Sequence, residues 1–349
     1  MEPFRTVVKC DVSPEKIGYG TPLVMLGSCF AENLGARLRQ LKFNIALNPF
    51  GIVYHPAPAA RNLERIISGK PYTVDELQQH NGLWCSFDHH GRFSHLDVSV
   101  CLRQINNELQ QAHDQLARSE WLFVTFGTAW AYRLKTTGQI VANCRKFPAS
   151  DFERIRFDVD EICTIWAATI TKLRQINPAI KVVFTVSPIR HLRDGAHENQ
   201  LSKSTLLLAV ERLNRELDKT GYFPAYELVL DELRDYRFYD ENMTHPNAVA
   251  TNYIRQRFYE CYMEEDTLQI MKTVENIVKA SAHKPIHHTS ECREFAARYL
   301  AKIAGLKQQM PILDFSEEIE KFGLYLLKNI PQSPPFSECA LPVFPLANN

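Results

Sequence analysis

Two short segments, far apart in the chain, carry the residue types of nucleophilic catalysis. The first is Gly27-Ser28-Cys29-Phe30, which follows the apolar run Leu23–Leu26. The second is Met243-Thr244-His245-Pro246, more than two hundred residues downstream. A serine hydroxyl becomes a nucleophile when a nearby imidazole accepts its proton. Ser28 and His245 are therefore the candidate nucleophile and general base.

Each of these residues also has an alternative explanation. Serine is a common N-cap where a helix begins, and a histidine before a proline is often a loop residue bonded to local backbone. Cys29 is an alternative nucleophile, because a thiol at a helix N-terminus has a lowered pKa. Ser28 and Cys29 are adjacent, so they cannot both face His245. We favour Ser28, with Cys29 packed inward.

The elements that must bring the two segments together follow an alternating pattern. Apolar runs alternate with segments of helical periodicity, which predicts a parallel sheet covered by helices on both faces. The carboxyl ends of parallel strands meet at one edge, where ligands bind, so we expect Ser28 and His245 to converge there. Strands are predicted at Leu23–Leu26, Phe43–Leu47, Trp121–Phe126, Lys181–Val186 and Tyr226–Leu230. Helices are predicted at Ala31–Gln40, Ala57–Ser68, Leu102–Arg118, Asp158–Asn177, Leu201–Thr220 and Ala248–Glu260.

The same pattern divides the chain into three parts. Residues 1–265 form an α/β domain, in which residues 70–100 are too long for a bare connection and are predicted to be an insertion. Residues 266–330 form a helical C-terminal appendage, and residues 331–349 form a proline-rich tail. The appendage helices are predicted at Leu268–Ser281, Glu291–Gln309 and Glu317–Lys328.

Composition and charge exclude several classes of protein. The 349 residues are 45% hydrophobic, enough for one large core. Forty basic and forty acidic residues cancel, which argues against nucleic acid or an anionic membrane as a partner. The chain has neither a signal-peptide pattern nor a long apolar span, so we expect a cytoplasmic protein. The nine cysteines form no C-x-x-C pair, and we expect free thiols.

Seven ordered motifs between residues 20 and 260 resemble those of the GSCFA family, which is similar in turn to the SGNH/GDSL hydrolases. The resemblance implies a flavodoxin-like three-layer α/β/α fold with a mostly parallel five-stranded sheet. It also implies esterase, lipase, deacetylase or acyltransferase chemistry, with Ser28 as nucleophile and His245 as base. The motifs are Gly27-Ser28-Cys29-Phe30-Ala31, Asn48-Pro49-Phe50-Gly51, Phe87-Asp88-His89-His90, Phe126-Gly127-Thr128-Ala129-Trp130, Val141-Ala142-Asn143-Cys144, Ser187-Pro188-Ile189-Arg190-His191 and Met243-Thr244-His245-Pro246.

The third member of the catalytic set departs from the SGNH pattern. SGNH enzymes place an aspartate three residues before the histidine, and Asn242 stands at that position here. An amide can orient an imidazole but brings no charge. Asp240 or Glu241 is the alternative, if the loop bends suitably.

The sequence also departs from the SGNH pattern in the block that supplies the oxyanion hole. The SGNH Gly-x-Asn-Asp block falls near Gly127–Trp130, which contains no amide side chain. We therefore expect the N–H of Ser28 or Cys29 to act with the N–H of Gly51 or Gly127. The Asn48 side chain is a further candidate donor. Asn-Pro is equally typical of a turn, and either glycine can instead serve backbone conformation alone.

Three further polar residues are candidates for substrate binding: His90 in the insertion, and Arg190 and His191 after the fourth predicted strand. Arg190 or His191 can bind an anionic group on the substrate or help to orient His245, with a salt-bridged loop as the alternative. The run Asp88-His89-His90 with His95 also suggests a metal site, but adjacent side chains of an extended segment point to opposite faces. We favour a non-metal role and expect no cofactor.

Three functions fit these observations. The first is a serine hydrolase or acyltransferase that acts on an acyl ester of a small molecule or a carbohydrate. The second is a non-catalytic ligand-binding module on a hydrolase scaffold, suggested by Asn242 and the missing amide. The third is a structural partner protein built around the C-terminal helices.

Overall fold

Most of the apolar runs predicted as strands belong to one parallel sheet. The computed structural model describes residues 5–283 and 289–327. Within them the ten strands are β1 (Leu23–Gly27), β2 (Ile45–Leu47), β3 (Gln78–His80), β4 (Leu83–Cys85), β5 (Trp121–Phe126), β6 (Trp130–Leu134), β7 (Ile140–Val141), β8 (Phe152–Arg156), β9 (Lys181–Val186) and β10 (Thr220–Tyr222).

The helices of the described residues cover this sheet and continue beyond it. They are α1 (Cys29–Gln40), α2 (Pro56–Ser68), α3 (Val98–Arg118), α4 (Val159–Ile176), α5 (Ala196–Glu216), α6 (Ala225–Glu227), α7 (Ala248–Tyr262), α8 (Glu265–Ala282), α9 (Ser290–Gln309) and α10 (Ser316–Leu327).

The central sheet has the strand order β2-β1-β5-β9-β10, with every pair parallel. Counted along the chain this is the order 2-1-3-4-5 of flavodoxin-like folds. The predicted fold class is therefore confirmed. In register, Gly27 lies opposite Thr125, and Phe126 lies opposite Val186. The residues that follow β1, β5 and β9 consequently share one edge of the sheet.

The two faces of the sheet are covered by different helices. Leu26, Val124 and Phe184 belong to a core cluster that includes buried residues of α2, α3, α4 and α5. On the other face, the Phe123 ring lies 5.1 Å from the Phe258 ring of α7. Burial on both faces explains why β1 and β5 are continuous apolar runs.

One strand prediction is wrong. Tyr226–Leu230 is helical, since α6 continues into a π-helical turn at Leu228–Glu232. The fifth strand is β10 instead. A short apolar run does not by itself distinguish a strand from a buried helix. Here the buried positions Ala225, Val229 and Leu233 recur at helical spacing.

Two small antiparallel sheets flank the central one. β3 and β4 form a hairpin within residues 70–100, followed by a 3-10 turn at Gly91–Phe93 and an isolated β-bridge from His95 to Trp84. The other sheet has the order β7-β6-β8, and the sequence analysis did not foresee it. It follows β5 directly and so lies at the carboxyl edge of the sheet.

The predicted helix α5 is displaced along the chain. It begins five residues earlier and ends four residues earlier than Leu201–Thr220. The other predicted helices of the first unit match the observed bounds within a few residues.

The N-terminal segment is hydrogen-bonded to the end of α7. Ser13 N donates to Cys261 O at 3.0 Å, and Ile17 N donates to Tyr262 O at 2.7 Å.

The described chain forms two compact units, which divide between Lys272 and Thr273. In the second unit α9 packs on α10, and the Tyr299 and Phe322 rings stack at 5.4 Å. Lys328, Cys339 and the predicted tail at residues 331–349 lie outside the described residues. No helix in the described ranges is long and apolar enough to span a bilayer.

Candidate active site

Ser28 lies at the junction between β1 and α1. Gly27 ends the strand with a φ of +133°, and a Cβ there would lie 2.2 Å from Thr125 O, so only glycine permits this approach. Ser28 is the N-cap of α1, and its Oγ accepts a hydrogen bond from Phe30 N at 3.2 Å. The residue is fully buried. Ser28 thus caps the helix and also occupies the carboxyl edge of the sheet.

His245 lies in a tight loop before α7, organised by Asn242. The Oδ1 atom of Asn242 accepts from the N–H of Thr244 at 2.9 Å and from the N–H of His245 at 3.0 Å. Asp240 N donates to His245 O at 2.8 Å. Asn247 then caps α7 through the N–H of Ala250 at 3.1 Å. The loop is held by these local bonds.

Of the three candidates for the third member, Asn242 contacts the imidazole. Its Nδ2 lies 3.0 Å from His245 Nδ1, and Thr244 Oγ1 lies 3.0 Å from the same nitrogen. Asp240 and Glu241 are exposed, and within the described residues neither carboxylate is hydrogen-bonded to His245. The position that carries charge in SGNH enzymes is thus occupied by a neutral amide.

A buried lysine joins the ends of two central strands. Lys203 of α5 is 1% exposed, and its Nζ donates to Gly127 O and to Ser187 O, both at 2.6 Å. These carbonyls follow β5 and β9 directly. Burial lowers the pKa of Lys203 to about 7, while the nearby Cys29 thiol opposes this shift. Lys203 therefore lies beneath the edge that presents Ser28.

Tyr54 and His191 connect the Ser28 side of the site to the His245 loop. Their rings meet edge to face at 5.5 Å, and the Tyr54 hydroxyl interacts with the Cys29 thiol. Burial lowers the pKa of His191 to about 4, and the charges of Lys203 and His245 act in the same direction. His191 is therefore close to both groups and neutral at pH 7.

Ser28 and His245 are brought to the same region but are not joined. Arg190 N donates to Thr244 O at 3.2 Å, so the loop after β9 is bonded to the His245 loop. In the part of the chain that the structure describes, no hydrogen bond links Ser28 to His245. The hydroxyl is used instead in capping α1.

Most of the N–H groups assigned to the oxyanion hole are already bonded. Gly51 N donates to Asn48 O at 2.7 Å, Gly127 N to Tyr54 O at 2.8 Å, and Ser28 N to Thr125 O at 3.3 Å. None of these three is available to an oxyanion in this conformation. Cys29 opens α1, and the first N–H groups of a helix have no carbonyl partner within it.

Asn48 fixes the turn below Ser28. Its Oδ1 accepts from Gly27 N at 2.8 Å, and its Nδ2 donates to Glu32 at 2.7 Å. The residue is 1% exposed and has a φ of 40°. Asn48 thus ties β1 to α1, which is the turn role left open in the sequence analysis.

The chain matches the model of the GSCFA family over residues 22–258. It belongs to the GSCFA family. A second model, the C-terminal domain of GSCFA domain proteins, matches residues 274–327. The predicted family resemblance is therefore confirmed. No curated protein matches this GSCFA chain.

Two solved structures are weakly similar to this GSCFA chain. One is an acetyl xylan esterase from the rumen bacterium Butyrivibrio proteoclasticus, with 12% identity, a TM-score of 0.34, and coverage of 69% of this chain and 63% of that chain. The other is a carbohydrate esterase family 3 protein from Talaromyces cellulolyticus, with 8% identity, a TM-score of 0.32, and coverage of 73% and 99%. The chain thus spans less than two thirds of the first. Similarity this low assigns no activity.

The remaining residues predicted for this GSCFA protein make local contacts. His90 is exposed and packs against Gly51, where an added Cβ would lie 2.1 Å from the His90 Cβ. The Arg190 guanidinium lies 5.0 Å from the centre of the Tyr239 ring. His89 is buried, and its Nδ1 lies 2.9 Å from Ser86 Oγ. Among the described residues, no three His, Cys, Asp or Glu side chains are grouped to hold a metal ion.

Sequence reasoning missed Lys203 and Tyr54. A signal for Lys203 was present, because the buried positions Asn199, Lys203 and Leu206 of α5 recur at helical spacing. Tyr54 precedes α2 and carried no such signal. Lys203 bonds to Gly127 O, and Tyr54 interacts with Cys29, so both residues lie close to the candidate site.

Proposed function

We propose that this GSCFA-family protein is an SGNH-like serine hydrolase or acyltransferase that acts on acyl esters of small molecules or carbohydrates. Ser28 is the nucleophile and His245 the general base. The observation that carries the proposal is the position of Ser28, at the end of a central strand and the start of a helix. A helix N-terminus favours the negative charge that develops when a hydroxyl attacks an ester.

The reaction follows the acyl-enzyme route. The Ser28 Oγ attacks the ester carbonyl as His245 takes its proton, and the alcohol leaves with a proton returned by the imidazole. Water or an acceptor hydroxyl then attacks the acyl-enzyme and restores the serine. The Cys29 N–H supports the oxyanion, and Lys203 in its protonated form adds positive charge near the same turn. Arg190, His191 and His90 contact the alcohol part of the substrate.

The Asn242 contact makes this activity weak. Since Asn242 Oδ1 is committed to backbone N–H groups, its Nδ2 donates to His245 Nδ1. The proton of the neutral ring then lies on Nε2, the nitrogen that a general base must leave free. Proton transfer requires the other tautomer, in which Nδ1–H donates to Thr244 Oγ1. In a serine protease, asparagine in place of the triad aspartate favours the wrong histidine tautomer and lowers kcat by ~10⁴-fold.

The contact between Asn242 Nδ2 and His245 Nδ1 also favours a second function. A His245 ring that donates from Nε2 suits recognition of an ester or sugar oxygen without turnover. In that case the protein is a ligand-binding module on the hydrolase fold. The two functions differ in whether Ser28 becomes acylated.

The test is burst kinetics with 4-nitrophenyl acetate, followed by intact mass measurement of the quenched protein. We expect one nitrophenolate per chain in the burst and one acetyl group on Ser28. Both signals should vanish in Ser28→Ala and His245→Ala. The exposed residues Ser150 and His197 provide matched controls, because Ser150→Ala and His197→Ala should retain the burst. Hydrolysis that is equal in wild type and Ser28→Ala, with no acetyl adduct, would instead support the binding module.

A further inference from the structure

A cavity lies next to the His245 loop, since two of its lining residues contact that loop. It has a volume of about 250 Å³, and its polar lining includes Arg190, Arg234, Asp235, Tyr236 and Tyr239. Its volume suits a group of about monosaccharide size rather than a long chain.

The cavity has an excess of positive charge. Among the described residues, no carboxylate lies within 4.0 Å of the Arg190 or Arg234 guanidinium. Asp235 is engaged elsewhere, because its Oδ1 accepts from Arg237 N at 2.9 Å and its Oδ2 lies 3.7 Å from Arg237 Nε. Two unpaired guanidinium groups on one cavity favour an anionic oxygen ligand, which they bind through paired N–H donors.

Aromatic rings complete the lining. The Tyr239 ring is 9% exposed and holds the Arg190 guanidinium over its face at 5.0 Å. Tyr236 is 66% exposed, and its ring lies 6.2 Å from the Tyr239 ring. An exposed ring beside unpaired cations can pack against the apolar face of a ring-shaped polar ligand. The cavity therefore offers both charge and a flat contact surface.

The wall of this cavity is shared with the loop of the candidate base. Arg190 bonds to Thr244 O through its backbone N–H, and Tyr239 forms a β-bridge with Pro246. These contacts place the cavity beside the loop that carries His245. One substrate can therefore present its ester to His245 and a second group to the cavity.

We propose that this cavity binds a carboxylate or phosphate group carried by a sugar-sized substrate. As a substrate subsite, the assignment rests on the proposed acyl-ester function. Binding of the anionic group itself needs no turnover and can be measured separately. Carboxylates and phosphates share the paired oxygen geometry that arginine recognises, so both serve as probes.

The test is calorimetric titration of the full chain with glucuronate, glucose 6-phosphate and glucose. We expect saturable binding of one or both anions and none of glucose. Arg190→Gln and Arg234→Gln should each weaken anion binding about tenfold, as expected for a charged hydrogen bond. Arg215→Gln is the matched control, because Arg215 is an exposed arginine of α5 remote from the cavity. It should bind like wild type.

The two proposals fail in different ways. Equal anion binding by wild type and Arg234→Gln, or no saturable binding of either anion, overturns the cavity assignment. If anions bind as expected but no acyl-enzyme forms with any ester, the cavity stands as a binding site and the hydrolase proposal fails. If both hold, acetylated glucuronate should have a lower KM than acetylated glucose, and Arg234→Gln should remove that difference with little change in kcat.

Discussion

The Nδ2 amide of Asn242 lies 3.0 Å from Nδ1 of His245 and is fixed there by the bonds of Oδ1 to the backbone of the same loop. An amide donor at this position selects the ring tautomer that carries its proton on Nε2. A carboxylate would select the opposite tautomer and stabilise the imidazolium that forms during reaction. In the proposed mechanism, the availability of His245 Nε2 as a base therefore depends on one amide.

The first prediction is that Asn242→Asp increases esterase activity. The carboxylate can keep the backbone bonds of Oδ1 and accept from His245 Nδ1, so Nε2 becomes free to take the serine proton. We expect kcat/KM for 4-nitrophenyl acetate to rise at least about tenfold. This is a small part of the ~10⁴-fold that the aspartate of a serine protease triad contributes. Asn242→Ala is the control that removes the amide without adding charge. Activity no higher in Asn242→Asp than in Asn242→Ala would contradict the role of His245 as base.

The second prediction concerns Cys29. Burial is the main cause that raises the pKa of this thiol, so the thiolate is scarce at neutral pH. We expect Cys29→Ala to keep most of the esterase activity, since the backbone N–H of residue 29 is unchanged. Peptide mapping should show iodoacetamide labelling of Cys29 to be slower than that of free glutathione. Loss of the acyl-enzyme in Cys29→Ala, with Ser28→Ala still active, would identify the thiol as the nucleophile.

The third prediction is a pH dependence of stability due to Lys203. Its pKa is about 7 in the folded protein against an ordinary 10.5. Between these values the unfolded chain binds more protons than the folded chain, so this group makes the free energy of unfolding rise with pH. The full rise is roughly 4–5 kcal/mol.

Urea titrations across that pH window test this assignment. In Lys203→Met the rise should be absent, whereas Lys135→Met, at an exposed lysine, should retain the wild-type dependence. Parallel pH curves for wild type and Lys203→Met would show that Lys203 is hydrated in solution.

The fourth prediction compares two glycines. Gly51 and Gly82 have φ values of +87° and +76°, but a Cβ at Gly51 would lie 2.1 Å from the His90 Cβ, whereas none of the surrounding atoms lies within 4 Å at Gly82. Gly82→Ala should cost about 1 kcal/mol through backbone strain alone. Gly51→Ala should cost at least about 1–3 kcal/mol more through overpacking. Equal shifts in thermal midpoint would mean that the insertion is not packed against this turn.

The central strands were predictable because they are buried on both faces. β5 and β9 coincide with the apolar runs Trp121–Phe126 and Lys181–Val186, bounded by turn residues. Thr220–Tyr222 is a short, half-buried edge strand with a glycine at its centre, so it carries no such run. Tyr226–Leu230 is such an apolar run but forms a helix, and only its tertiary contacts decide between strand and helix.

The candidate site was predictable only in part. Ser28 and His245 stand out because their motifs follow turn and loop signals and resemble a known family. Lys203 was missed because lysine is almost never fully buried, and only its register on α5 indicated otherwise. The occupied N–H groups of Gly51 and Gly127 depend on carbonyls of other loops, which no local pattern specifies.

The attachment of the N-terminal segment to the end of α7 has a consequence for protein engineering. Because Ser13 and Ile17 bond directly to Cys261 and Tyr262, a short linker can join the N-terminal segment to the end of α7. New termini can open in the exposed turn at Thr136 and Thr137, between β6 and β7. In that circular permutant the segments bearing His245 and Ser28 lie within one short stretch of sequence, and a single gene fragment would encode both candidate residues.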